Sequence, residues 1–155
     1  VLDAVAVYRI VEIGDPVLRQ KSSLVPEVNA NIQKLLDDLA ETLRAAKGAG
    51  LAAPQIGVSK RVIVVNCGEG LWELVNPEVV SVQGQDVSVE GCLSIPGVSG
   101  EVKRAAKVVV EAWDRSGQEI RISVDGWGAR ALLHEIDHLD GILFIDRAEK
   151  LVNGD

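Results

Sequence analysis

The chain has 155 residues, 23 acidic against 16 basic side chains for a net charge of −7, and two cysteines, Cys67 and Cys92. A chain of this length buries about two thirds of its unfolded surface as one domain, spanning 1–155, without disulfides or a structural metal. The acidic balance argues against holding a nucleic-acid backbone by bulk charge, and no apolar stretch approaches the roughly 18–20 residues of a membrane span.

In chain order, Val1-Leu2-Asp3-Ala4 lacks an initiator Met, which leaves a removed targeting segment open. Val5 to Arg9 alternates weakly and gives way to a turn at Gly14-Asp15-Pro16. Ile32, Leu35, Leu36, Leu39, Leu43 and Ala46 then recur at helical spacing and predict a long amphipathic helix. Asn29 or Asn31 is suited to cap its start and Gly48 to end it. Beyond Pro54 the residues turn β-branched: Arg61–Val65, Glu78–Val82, Val87–Val89, Lys107–Val110 and Glu119–Val124 predict strands, the last two joined by a hairpin turn at Asp114–Gln118. A final helix is predicted from Gly128 to Asp140, stopped by Gly141. The fold class that follows is α+β: mostly antiparallel β-sheets around a C-terminal helix, with one long N-terminal helix.

That late helix carries His134-Glu135-Ile136-Asp137-His138 and holds the only two histidines of the chain. Residues four apart stack on one helix face about 6 Å apart along the axis, so a divalent metal would find two nitrogen ligands there. The bland alternative is a pair of surface or core histidines with an incidental Glu between them. Glu135 projects about 100° away from His134 around the helix, poorly placed as a ligand beside both histidines but well placed to take a proton from an activated water.

Cys92 lies in Glu90-Gly91-Cys92-Leu93-Ser94 at a predicted strand end and is the obvious thiolate ligand, although a free Cys is more often a small buried hydrophobe. Cys67 keeps that plainer reading. With two cysteines rather than a disulfide framework, both are expected to be reduced. Gly48-Ala49-Gly50-Leu51-Ala52-Ala53-Pro54-Gln55 lacks the ending of a phosphate loop. It reads as a helix end and connector, or as bare backbone open to a substrate carbonyl, with Gln55 as an amide donor.

These three segments, in this order, resemble the signature motifs of the peptide deformylase family. The resemblance extends to Gly14–Arg19 and to Gly141–Asp146 and so covers nearly the whole chain. It implies that Cys92, His134 and His138 bind the metal, that Glu135 is the catalytic acid and base, and that Gln55 and the backbone N–H of Leu93 stabilise the oxyanion. It further implies Fe²⁺ as the physiological metal, with Zn²⁺ or Ni²⁺ able to occupy the same ligands. The substrate would be the N-formylmethionine of new polypeptides, met in the bacterial cytoplasm, or in an organelle, near the ribosomal exit tunnel.

Other expectations accompany that reading. Backbone at Gly48, Ala49, Gly50 and Gly91 is expected to approach the small formyl group, and the following peptide to add to a sheet edge. Trp127, Arg130 and Ala131 share a face with His134 and are expected to wall the methionine pocket. Glu90 and Arg104 are expected to pair and hold the Cys92 loop, and Asp137 either to orient a histidine or to make a surface ion pair. Two departures from the family stand out: a small, glycine-rich loop expected at Gly97–Gly100, where many relatives carry a substrate-binding Arg, and an end 17 residues after His138.

Two rival functions are weaker. A metalloprotease of the His-Glu-x-x-His kind would want a third His or Glu downstream, and no His follows His138. A non-catalytic metal-binding module docking on nascent chains would need neither Glu135 nor Gln55.

Overall fold

A computed structural model describes residues 5–153, so the Met-less start at Val1–Ala4 lies outside the described residues. Helix α1 spans Ala30–Ala46, and the Asn29 side chain accepts a hydrogen bond from Ile32 N at 3.1 Å. Its end differs from expectation. Lys47, not Gly48, takes the left-handed conformation (φ 57°) that closes the helix. Gly48 is reserved for another purpose: a Cβ there would lie 2.7 Å from Leu93 Cδ1 and 3.0 Å from Leu43 Cδ1.

The Gly48–Gln55 segment is more than a connector. Gly50–Ala52 forms strand β1, and Ala53–Ile56 a single 3-10 turn. Next come β2 (Val62–Asn66), β3 (Leu71–Gln83), β4 (Asp86–Cys92) and β5 (Ile95–Arg104). They are followed by β6 (Lys107–Trp113), β7 (Glu119–Asp125), helix α2 (Gly126–Leu139), the one-turn helix α3 (Phe144–Arg147) and β8 (Ala148–Asn153). Helix α2 therefore starts two residues before its predicted position, directly after the N-cap Asp125 that ends β7.

All the strand pairs are antiparallel, in one sheet of order β1-β2-β3-β6-β7 and another of order β4-β5-β8. β2 explains the first sheet's burial. Ile63 and Val65 enter a core with Leu132, Ile136 and Leu139 of α2, while Val62 and Val64 enter a second core with Leu36, Leu39 and Leu43 of α1. Alternate residues of a strand point to opposite faces, so covering both faces requires the unbroken Val-Ile-Val-Val run. A third core, with Leu18, Ile95, Val102, Leu143 and Phe144, lies against the smaller sheet.

Two stretches correct the sequence reading. β3 is longer than expected because Pro77, a poor strand residue, sits at an irregularity between Val75 and Glu78. There Asn76 takes φ 51°, and its side chain bonds both the N–H and the carbonyl of Val25 at 2.9 and 2.8 Å. The expected loop at Gly97–Gly100 is instead part of β5. Gly100 is needed for close approach: a Cβ would meet Leu151 Cδ2 at 2.9 Å and Lys150 O at 3.0 Å on β8. Among the described residues, no helix is long and apolar enough to cross a membrane.

Candidate metal centre

Two elements meet at the centre. β4 ends at Cys92, and α2 presents His134 and His138 from one face, so that one ligand atom from each residue lies within 4.8 Å of the other two. Cys92 Sγ is 3.4 Å from His138 Nε2, and the two imidazoles meet edge to face at 5.2 Å between centroids. Phe144 stacks on His134 at 6.2 Å between centroids. Both histidines are buried.

Gln55 is held by its own surroundings. Its Oε1 accepts from Ala52 N at 2.9 Å, while Nε2 donates to Ser94 Oγ at 3.1 Å and reaches Cys92 Sγ at 3.6 Å. An amide nitrogen carries two hydrogens, so the Ser94 bond fixes the orientation and leaves one donor to point toward the thiol. Ser94 was not singled out by its sequence neighbourhood, yet it is fully buried and performs this positioning.

Glu135 is buried beside Gly50. A Cβ on Gly50 would fall 2.8 Å from Glu135 Oε2 and 2.9 Å from its Cγ, closer than packed atoms approach. Gly50→Ala is therefore expected to displace the Glu135 carboxylate. The expected result is a lower kcat with unchanged metal content, both measured on the same sample. By contrast, Gly91 has room: its nearest contact would be Val98 O at 3.7 Å.

Glu90 organises the next layer of contacts. Its carboxylate accepts from Arg104 Nε and Nη2 at 2.7 and 2.8 Å, from Arg130 Nη1 at 2.6 Å, and pairs with His134 Nδ1 at 2.8 Å. Asp137 accepts from Arg104 Nη1 at 2.7 Å and from Arg147 Nε at 2.6 Å. Its bonds among the described residues thus go to two arginines and not to a histidine. Of the two ion pairs this makes, the one to Arg104 is buried, while Arg147 is 45% exposed and carries the other toward the surface.

These contacts set the protonation pattern. Burial opposes ionisation of Glu90, but the hydrogen bonds from Arg104 and His134 outweigh it and hold the carboxyl down to about 2. Burial pushes Glu135 up to about 7, against the pull of His134 and Arg104. Burial also lowers His138 to about 3. His134 behaves oppositely: burial resists its charge, yet hydrogen bonds to Cys92 and Glu90 raise it to about 10.

The anionic surroundings that draw a proton onto His134 are equally those that attract a divalent cation. One thiol and two imidazoles form a donor set suited to Zn²⁺, Fe²⁺ or Ni²⁺. The buried Glu135 Oε1 and His138 Nδ1 have no hydrogen-bond partner among the described residues. The residues present fit a metal.

An adjoining cleft of about 500 Å³ opens from this centre. Gly48, Ala49, Gly50 and Gln55 line it, as do Gly91, Cys92 and Leu93. From α2 come Trp127, Arg130, Ala131, His134 and Glu135. Cys67 is elsewhere, its thiol bonded to Gly70 O at 3.1 Å.

Residues 7–153 match the sequence pattern of the polypeptide deformylase family. The chain belongs to the peptide deformylase family. Peptide deformylases are metal-dependent hydrolases that remove N-formyl groups from nascent peptides. The peptide deformylase of Carboxydothermus hydrogenoformans is 56% identical over 147 residues, covering 95% of this chain and 97% of its own. That of Desulfitobacterium hafniense is 57% identical over 145 residues, covering 94% and 97%. Among solved structures, the Thermotoga maritima peptide deformylase superposes with a TM-score of 0.91 at 37% identity, covering 93% of this chain and 99% of its own. The Synechococcus elongatus peptide deformylase in complex with actinonin gives 0.89 at 36% identity, covering 96% and 87%.

Proposed function

We propose that Cys92, His134 and His138 hold one divalent cation, Fe²⁺ in the cell, and that Glu135, Gln55 and Leu93 carry out deformylation of N-formylmethionine beside it. The observation that supports this most is the convergence of three ligand atoms within 4.8 Å at the end of a cleft that Glu135 and Gln55 also line. Zn²⁺ and Ni²⁺ suit the same donors. A bound cation in such a site supplies Lewis acidity, polarising a carbonyl and bringing the pKa of water from 15.7 to about 7.

The protein's own groups do the rest. Glu135 takes a proton from the attacking water as its oxygen bonds to the formyl carbon. As the C–N bond breaks, Glu135 returns the proton to the leaving amine, so formate departs and a free amino terminus remains. A carboxyl near pH 7 is suited to both transfers, since it accepts and releases a proton at similar cost. Gln55 Nε2 and the Leu93 N–H donate hydrogen bonds to the formyl oxygen as it gains charge, a contribution typically worth about 2.7–4 kcal/mol per donor.

Trp127 stands at the start of α2 and is 55% exposed while lining the cleft. It has apolar surface left to bury against a methionine side chain, a contact worth up to about 1.5–3 kcal/mol. Trp127→Ala is expected to raise KM for formyl-Met peptides more than for formyl-Ala peptides. An equal rise for both would remove Trp127 from the pocket.

The whole chain is read as one catalytic unit acting on nascent chains near the ribosomal exit in the cytoplasm. Support for that reading comes from the substrate class and from the bacterial relatives. The deciding experiment is anaerobic metal analysis paired with formate release from a formyl-Met peptide. One equivalent of metal with formate release is expected, and metal without formate release would overturn the reading.

A further inference from the structure

Arg130 lines the cleft, and its charged end is engaged by the smaller sheet. The side chain is buried, and its guanidinium reaches three acceptors on two strands: Glu90 Oε2 at 2.6 Å and Asp86 O at 2.8 Å on β4, and Val102 O at 2.9 Å on β5. Helix α2 packs its apolar face against the five-stranded sheet, whereas β4 and β5 belong to the other sheet, which α2 also reaches through His134 to Glu90 and Asp137 to Arg104. The two sheets share no strand. Arg130 is therefore one of the ties that hold α2, and the sheet beneath it, to the smaller sheet.

This tie falls where the geometry of the cleft is set. The lining of the cleft includes the Gly48–Gly50 segment at the start of β1 and Ser88–Gly91 of β4. β4 pairs with β5 on one side only, so its other edge depends on anchors of this kind to hold its place. The same guanidinium completes Glu90. With Arg104 and Arg130 donating three bonds and His134 Nδ1 the fourth, each carboxylate oxygen has two partners and no lone-pair site is left over. A saturated carboxylate holds the His134 proton on Nδ1 and presents Nε2 to the metal side.

We propose that Arg130 is a positioning residue that sets the spacing between β4 and β1 across the cleft and, through Glu90, the tautomer of His134. The inference rests on the reading of the cleft as the formyl-peptide slot. A purely structural Arg130 would only balance the Glu90 charge. It would then matter for stability and leave the slot unaltered.

The test uses the zinc-loaded protein and Arg130→Met, which keeps the aliphatic bulk and removes all three bonds. Competition with a chelator is expected to show about 10- to 100-fold weaker Zn²⁺ binding. KM for a formyl-Met peptide is expected to rise, and the β4 amides to lose hydrogen-exchange protection relative to those of β2. Arg130→Lys keeps the charge beside Glu90 but lacks the planar fork that spans two strands. It is expected to recover Zn²⁺ affinity while KM and β4 exchange stay altered, and it serves as the test if Arg130→Met does not fold.

Wild-type KM and wild-type β4 exchange in the variant would overturn the role of Arg130, whatever the change in Tm. That failure is distinct from failure of the functional reading, which would appear as absent formate release in the unmodified protein.

Discussion

Glu135→Ala is expected to keep its bound metal and lose formate release by about 10²–10⁴-fold, the usual worth of a positioned general acid and base. The three proposed ligands come from Cys92, His134 and His138, and their geometry does not include the Glu135 carboxylate. Glu135 instead points to the side of α2 that meets Gly50, where burial holds its pKa at about 7. Removing it therefore separates binding from turnover. Metal analysis and formate release on one preparation check this: metal loss together with activity would make Glu135 a ligand, and retained activity would remove it from the reaction.

Arg104→Ala is expected to cost about 3–5 kcal/mol of folding stability, the penalty for breaking a buried ion pair from one side. Arg104 is 6% exposed and serves two buried carboxylates, Glu90 and Asp137, which would be left with fewer cations in a setting that penalises lone charge. The pair between Arg19 and Asp146 provides a control. Those side chains are 47% and 38% exposed, so Arg19→Ala should cost only about 0–1 kcal/mol. Denaturant unfolding of both variants measures the difference, and metal content reports whether the Cys92 turn is still held. An Arg104→Ala protein with unchanged stability and metal content would mean that the network is incidental.

The sheets show where sequence patterns carry structural information and where they do not. β2, β6 and β7 were legible because their β-branched residues alternate or run continuously between turn residues. β5 was not: Pro96, Gly97 and Gly100 are poor strand formers, and β8 packing closely on Gly100 is what calls for a glycine there. β8 reads Ala-Glu-Lys-Leu-Val-Asn and β1 is only three residues long, so neither carries a periodic signal of its own. Both exist because a neighbouring strand offers unpaired N–H and C=O groups.

For the site, helical spacing alone placed His134 and His138 on one face, and the stripe from Ile32 to Ala46 predicted α1, because both depend only on local geometry. Motif order suggested Cys92 as the third ligand and Gln55 as a donor. Spacing along the chain could not bring Cys92 Sγ within 3.4 Å of His138 Nε2, direct Gln55 through Ser94, or carry Arg130 to Glu90, Asp86 and Val102. Those contacts join residues 28 to 46 positions apart. They were decided only when two sheets and α2 packed together, because burial leaves each polar group to find whichever partner the packing brings within reach.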